Sequence, residues 1–289
     1  MLGGTQNRFS LTRAALNTRG ALKQFLIINS ASVQLTMKII PKSSLLLALA
    51  ASLSATSSYA VTLFESQGFE APAYGLGSLT GQNGWTSQGT AVATVQNSVV
   101  ASGSQAVSLS GTATTWHWPS VGYTPASGEV IRVSADIQRG SSAATSKNFG
   151  YFIDVYDNTA GSRIGRVGIA NNAGSLVGIA TTKDAGGIAG NYILQSGMQW
   201  DTWYNFKMEL DFTGQVFDLL IDGTVVGADL PFLITATDFG DADLMLSYTT
   251  GATDGGYFDN YSVITVIPEP SSGALFLLGL AGFALRRRQ

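Results

Sequence analysis

Glu209 and Asp211 stand two apart in a run where Tyr204, Phe206, Met208, Leu210 and Phe212 alternate with Asn205, Lys207, Glu209 and Asp211. A period of two held this long predicts a strand with one wet face. Both carboxylates then project from the same side. Two carboxyl groups about 5–5.5 Å apart, one of them protonated, are what a retaining glycosidase needs. The plainer alternative is a pair of acids on a solvated sheet face. Trp116-His117-Trp118 is the second constellation. On a strand the two indoles share a face and His117 takes the other. Sugar rings stack their C–H faces on aromatic side chains, so two exposed tryptophans would make a glycan platform. Buried core tryptophans are the competing explanation. Trp85, Trp200 and Trp203 read as packing residues at strand ends.

Composition removes several other chemistries. The chain has 289 residues, no cysteine and a single histidine, His117. Thiol catalysis, iron–sulfur clusters and cysteine–zinc sites are excluded, as are multi-histidine metal centres. A Ser-His-Asp triad would have to use that one residue. Between Val61 and Ile267 there are 18 acidic and 7 basic residues, a net charge of about −11. Such a surface repels phosphate backbones and anionic lipid, which argues against nucleic acid as a partner.

The elements that must position these residues are strands. Short β-rich runs are punctuated by Gly, Ser, Thr and Asn, as in sandwiches. Ile131, Val133, Ala135 and Ile137 form one face of Glu129–Ile137, and Arg132, Ser134 and Asp136 the other. Thr213-Gly214 and Asp222-Gly223 turn the chain on either side of Gln215–Ile221. Asp-Gly supplies the positive φ angles of a tight hairpin. Further strands are expected near Thr62–Glu65, Ala91–Gln96, Gln105–Ser110, Phe149–Asp157, Arg163–Ala170, Leu176–Ala180, Thr224–Val226, Asp243–Thr249 and Tyr257–Ile264. Asp238, Asp241, Asp243 and Asp254 read as loop acids without the spacing of an EF-hand. An all-β, antiparallel two-sheet jelly roll over 61–266 is the expected architecture.

The two ends are addresses. Residues 1–36 carry Arg8, Arg13, Arg19 and Lys23 without an acid or a sustained period, and read as sequence upstream of the true start; the alternative is a long n-region that is made and then removed. Met37 opens a signal peptide over 37–60. Lys38 and Lys42 are its basic region, Leu45–Leu53 its apolar region, and Ser58-Tyr59-Ala60 the cleavage site, so signal peptidase cuts after Ala60. At the other end Pro268-Glu269-Pro270 is rigid and extended. Ser271–Leu285 is an uncharged apolar run of 15 residues, and Arg286, Arg287 and Arg288 close it. As a helix the run is roughly 22 Å long, near the bilayer core with snorkelling arginines. Positive flanks stay cytoplasmic, so the remainder lies outside.

This three-part order over 267–289 resembles the PEP-CTERM sorting signal of Gram-negative bacteria. The resemblance implies a transmembrane sorting helix in the inner membrane, cut by exosortase at Pro268, Glu269 and Pro270. It also implies a final location at the cell surface or in the exopolysaccharide matrix. Within the domain, Phe69-Glu70 with Gly77-Ser78-Leu79 and Gly81-Gln82-Asn83-Gly84-Trp85 resembles the opening of exported sandwich proteins with such tails. Trp203–Gly214 with Asp218–Gly223 is similar to the paired strands of concanavalin A-like and laminin-G-like domains. Phe258–Val263 is similar to their closing strand, which lies beside the first.

Laminarinase-type glycoside hydrolases of that fold carry Glu-x-Asp-x-x-Glu. Glu209 and Asp211 match its first two positions, and the acid/base position falls on Gly214. Asp218 lies beyond the turn and does not replace it by strand spacing; Glu129 is a distant acid that could still converge. The resemblance also implies that carbohydrate-binding jelly rolls hold structural Ca²⁺ between an early glutamate and a late aspartate, here Glu65 or Glu70 with Asp259. No other cofactor is required. The expectation is therefore a non-catalytic exported sandwich, binding polysaccharide or serving a structural role. The alternative is a glycosidase or lyase of the same fold.

Overall fold

In a computed structural model, the structure describes residues 60–266 apart from 91, 112, 142–149, 160 and 248–254. The N-terminal segment 1–36, most of the signal peptide and the sorting segment 267–289 lie outside the described residues. Ala60 is described and exposed.

In chain order the first eight strands are β1 (Thr62–Glu65), β2 (Gly77–Ser78), β3 (Trp85–Gln88), β4 (Val92–Gln96), β5 (Ala106–Ser110), β6 (Thr115–Pro119), β7 (Val130–Arg139) and β8 (Gly150–Tyr156). The second eight are β9 (Arg163–Asn172), β10 (Ser175–Lys183), β11 (Ala189–Met198), β12 (Trp203–Asp211), β13 (Val216–Ile221), β14 (Thr224–Pro231), β15 (Asp241–Ser247) and β16 (Gly256–Val266). A single 3-10 turn, Gln67–Phe69, follows β1.

The strands form two antiparallel sheets. One is nine-stranded, in the order β14-β13-β12-β7-β16-β5-β4-β2, with β1 also on β16. The other is seven-stranded, in the order β11-β10-β9-β8-β15-β6-β3. The first and last strands of the domain lie together, with Glu65 opposite Ser262. Val61 closes this seam by donating its N–H to the Thr265 hydroxyl at 3.0 Å.

The period-two pattern fixes which residues face inward. Ile131, Val133, Ala135 and Ile137 of β7 and Phe206, Met208 and Leu210 of β12 are all fully buried. They meet Ile153, Val155, Val167, Ile169, Leu244 and Leu246 of the second sheet in one hydrophobic core. At one end Trp85 packs edge-on to Phe64 and Tyr261, at centroid distances of 5.8 and 5.3 Å. Its indole N–H donates to the Tyr74 hydroxyl at 3.1 Å, which satisfies the one polar atom that burial would strand. The β13–β14 hairpin turns at Asp222 and Gly223 with φ of 50° and 78°. The sequence signal for a two-residue turn is thus realised with Ile221 opposite Thr224.

β11 departs from the pattern. It is an edge strand with Ile193 48% exposed and little inward face, so its sequence carries no apolar alternation to announce it.

Candidate functional site

The Glu209/Asp211 pair lies on the outer face of the nine-stranded sheet, and each carboxylate is committed. Glu209 accepts from Arg132 Nε at 2.8 Å and Nη2 at 2.5 Å. Asp211 accepts the N–H groups of Thr213 and Gly214 at 2.8 and 2.9 Å, capping its own turn. The register does bring Asp218 directly opposite Glu209, contrary to the expectation from spacing. Antiparallel pairing across a tight turn puts residues of equal distance from it side by side. Asp218 in turn accepts the N–H of Asp229 at 2.8 Å. Glu129 takes the Tyr123 hydroxyl and the Ala126 N–H, both at 2.9 Å from Oε2. These acids hold turns and pair with a cation.

The tryptophans behave differently. His117 is buried to 1% and turns to the interior, while Trp116 and Trp118 are half-buried on the outer face of the seven-stranded sheet. Because residues opposite each other on neighbouring strands share a face, the register orders this surface into rows. One row runs Gln88, Trp116, Met245, Phe152, Gly168, Ile179, Ile193 from β3 to β11. A row beside it includes Asp243, Asp154, Arg166, Thr181 and Asn191. Asp241 lies opposite Tyr156, and Tyr156 opposite Arg163. Phe152, Ala170, Val177, Ile179 and Met245 make a second buried apolar cluster here, with Trp116 packed against it.

Three pockets open along this face. Trp116, Trp118, Tyr156, Asp157, Asp241 and Asp243 line one of about 300 Å³. Phe152, Arg166, Asn172, Val177, Asn191 and Ile193 line the next, about 190 Å³. A third, about 500 Å³, shares Asn172, Val177 and Ile193 with the second and ends at Trp200.

The electrostatics are concentrated at the centre. Asp154, with no exposed surface, takes a two-pronged bond from Arg166 through Nε and through Nη2, the latter at 2.6 Å. Arg163 adds a contact at 3.5 Å, and the Arg166 guanidinium also lies 4.9 Å over the Phe152 ring. Tyr156 donates to Asp154 at 3.2 Å; burial and then the Asp154 charge push its phenol well up. Asp241 and Asp243, two apart on the same face of β15, are hydrogen-bonded to each other. Burial, then the Asp241 charge, then Asp154 push Asp243 up to about 9, and burial lifts Asp241 to about 6. The pair therefore holds a proton at neutral pH, since like charges this close do not both ionise out of water. Three buried polar atoms on this face have no hydrogen-bond partner: Asp243 Oδ1 and Trp116 Nε1 beside the tryptophan pocket, and Arg163 Nε. Buried polar atoms are nearly always paired, so these are exceptions.

Asp241 and Asp243 are thus strand residues of β15, a correction to their reading as loop acids. The available signal was period two: Asp241-x-Asp243 on β15, and Phe152-x-Asp154-x-Tyr156 on β8, polar groups at alternate positions of otherwise apolar strands.

The expected calcium residues split. Glu65 is exposed at the end of β1 and joins nothing. Glu70 and Asp259 converge on Gly68: a Cβ there would lie 3.6 Å from Glu70 Cγ, 3.7 Å from Asp259 Oδ1 and 3.4 Å from Asn260 Oδ1. Asp259 Oδ2 accepts the N–H groups of Ala101 and Ser102 at 3.0 and 3.1 Å, and Oδ1 that of Asn260 at 2.7 Å. Glu70 Oε1 accepts from Ser104 N at 2.6 Å and Gln105 N at 2.9 Å. The Ser104 hydroxyl and these backbone bonds hold the Glu70 carboxyl below its usual range; burial pushes Asp259 up to about 6. One lone pair on Asp259 Oδ1 and one on Asn260 Oδ1, which already accepts the Ser102 hydroxyl at 3.1 Å, remain for a hard cation. Among the described residues no group of three or more acids or histidines gathers to hold a metal. A calcium here would draw on amide and backbone oxygens beside these two carboxylates.

Residues 266–288 match the model of the PEP-CTERM protein-sorting motif. That motif indicates an exported, membrane-anchored precursor sorted to the cell surface. Among the described residues no helix is long and apolar enough to cross a membrane. Comparison with curated proteins finds no match. Several solved structures are similar to this chain. A carbohydrate esterase of the Shiga toxin-encoding bacteriophage phi24B superposes with TM-score 0.50 at 13% identity, covering 71% of this chain and 99% of that one. A sialidase gives TM-score 0.46 at 13% identity; 64% of this chain is covered, and it spans 17% of the sialidase. An endo-β-1,4-glucuronan lyase from the fungus Trichoderma reesei gives 0.45 at 14% identity, over 71% and 94% of the two chains. At these identities the likeness is one of fold.

Proposed function

We propose that this exported protein binds polysaccharide at the cell surface or in its matrix, along the outer face of the seven-stranded sheet, without cleaving it. Signal peptidase removes residues through Ala60 and exosortase cuts at Pro268-Glu269-Pro270, releasing the sandwich from the inner membrane. The observation that carries the reading is the row of Trp116 and Trp118 beside Asp243, with two of the face's orphaned polar atoms, Asp243 Oδ1 and Trp116 Nε1, beside that pocket. Indole faces take sugar C–H surfaces, and the free polar atoms take hydroxyls.

The carboxylates support binding over hydrolysis. Retaining chemistry needs carboxyl groups about 5–5.5 Å apart and inverting chemistry about 6.5–9.5 Å. Asp241 and Asp243 are in hydrogen-bond contact, which leaves no room for a glycosidic bond between them. Glu209 is neutralised by Arg132 and lies on the other sheet.

The test is retardation of the exported protein in gels containing soluble polysaccharides. Retardation by at least one glycan, lost in Trp116→Ala and Trp118→Ala but kept in Glu209→Gln, is the expected result. Retention that depends on Glu209 and not on the tryptophans would move the site to the other sheet.

A further inference from the structure

The charge on this face bears on which polysaccharide it takes. Asp154, Asp157, Asp241 and Asp243 outnumber Arg163 and Arg166. Arg166 is committed to a carboxylate and a ring, and Arg163 does not line the tryptophan-end pocket. Arg166 gives its Nε and Nη2 to Asp154 and lies over the Phe152 ring. Arg163, a third exposed, lies 3.5 Å from the same carboxylate. At the tryptophan end the charged side chains lining the pocket are all acids: Asp157, Asp241 and Asp243. Asp243 is 5% exposed and its orphaned Oδ1 is an acceptor looking for a donor. A sugar hydroxyl is such a donor; a uronate carboxylate is a third acceptor and a second negative charge. Trp116 Nε1, the other orphan beside this pocket, donates to a neutral hydroxyl or ring oxygen equally well.

The face is also long. The row from Trp116 on β6 to Ile193 on β11 crosses five strand spacings, about 24 Å at the usual separation. The second and third pockets share Asn172, Val177 and Ile193, so the path continues toward Trp200.

Resting on the polysaccharide reading above, we infer that the ligand is an uncharged glycan chain several sugars long, lying across the strands from Trp118 toward Ile193, and that uronate polymers are rejected at the Asp241/Asp243 end.

The experiment compares the exported protein's retention by neutral β-glucans, by alginate and polygalacturonate, and by the same two uronate polymers after their carboxyl groups are reduced to alcohols. Retention by an uncharged polymer, none by the native uronates, and retention gained on carboxyl reduction are expected. Affinity for neutral oligosaccharides should rise with length over several units and change little between low and high salt, since no ion pair forms. Asp243→Ala, which removes the acceptor, should weaken the neutral glycan roughly tenfold, the worth of a hydrogen bond to a buried acceptor, whereas Asp243→Asn, which keeps a carbonyl oxygen there, should bind nearly as well as the unaltered chain. Preference for the native uronate over its reduced form, with salt-sensitive binding, would overturn this inference while leaving polysaccharide binding intact. Retention by none of these polymers would bring down both.

Discussion

At the residue scale, the acids that look most catalytic in the sequence are the ones the fold neutralises. Glu209 meets Arg132 across neighbouring strands at 2.5 Å, with both side chains about a quarter to a third exposed. Such a pair contributes at most about 1 kcal/mol. Glu209→Gln should lower stability by no more than that and leave glycan retention unchanged, as read by a denaturant melt alongside the gel. Asp243 is the sensitive residue. Its carboxyl holds a proton in the folded chain up to about 9, whereas in the unfolded chain it ionises in the ordinary carboxylate range. Between those limits the folded state binds more protons, so stability falls as pH rises. Asp241 and Asp259, both lifted to about 6, act with the same sign over the lower part of that window. The melting temperature should therefore drop by several degrees from pH 5.5 to pH 8.5, and Asp243→Asn should flatten the change. A melting temperature that climbs over this window would show Asp243 to be ionised in the fold. Glu209 and Asp211 were conspicuous in the sequence through their spacing alone. Asp243 was not, because its importance comes from burial beside Asp154 and Asp241, on strands far apart in the chain.

At the element scale, alternation made most strands legible. β7 and β12 bury the residues their period assigns to the core, and β1 lies beside β16 as the resemblance of the closing segment implied. The strands that escaped bury little: β2 with two residues, β3 with only Trp85 buried, and the edge strand β11 with only Met198 buried. Trp85 nonetheless anchors one end of the sandwich, touching Phe64, Phe69 and Tyr261. Trp85→Ala should cost about 3–5 kcal/mol, measurable by urea unfolding; a loss below about 1 kcal/mol would mean the cluster closes over the gap. The seam at Gly68 gives the calcium test. If Glu70, Asp259 and Asn260 hold the ion, excess EDTA should lower the melting temperature by roughly 5–10 °C, the effect of losing a ligand held at about a hundred times its Kd. An unchanged curve would leave these acids as loop caps only.

At the scale of the whole molecule, the address and the binding face are separate readings of separate segments. The sorting tail was legible because its signal is contiguous: a rigid tripeptide, an apolar run and three arginines. The candidate face was only half legible, since Trp116 and Trp118 lie two apart in sequence while their acidic neighbours arrive from β8 and β15 through strand pairing. In a host with exosortase, intact-mass measurement on secreted material should find a chain starting near Val61 and lacking Arg286–Arg288. Retention of those arginines in the mature species would remove the sorting step. The central claim, binding without cleavage, is tested most directly by prolonged incubation of the exported protein with the polysaccharide that retards it. No new reducing ends and no ultraviolet absorbance from unsaturated termini should accumulate while retention persists. Product release that disappears in Asp243→Asn or Tyr156→Phe would contradict the account and make the same face an active site.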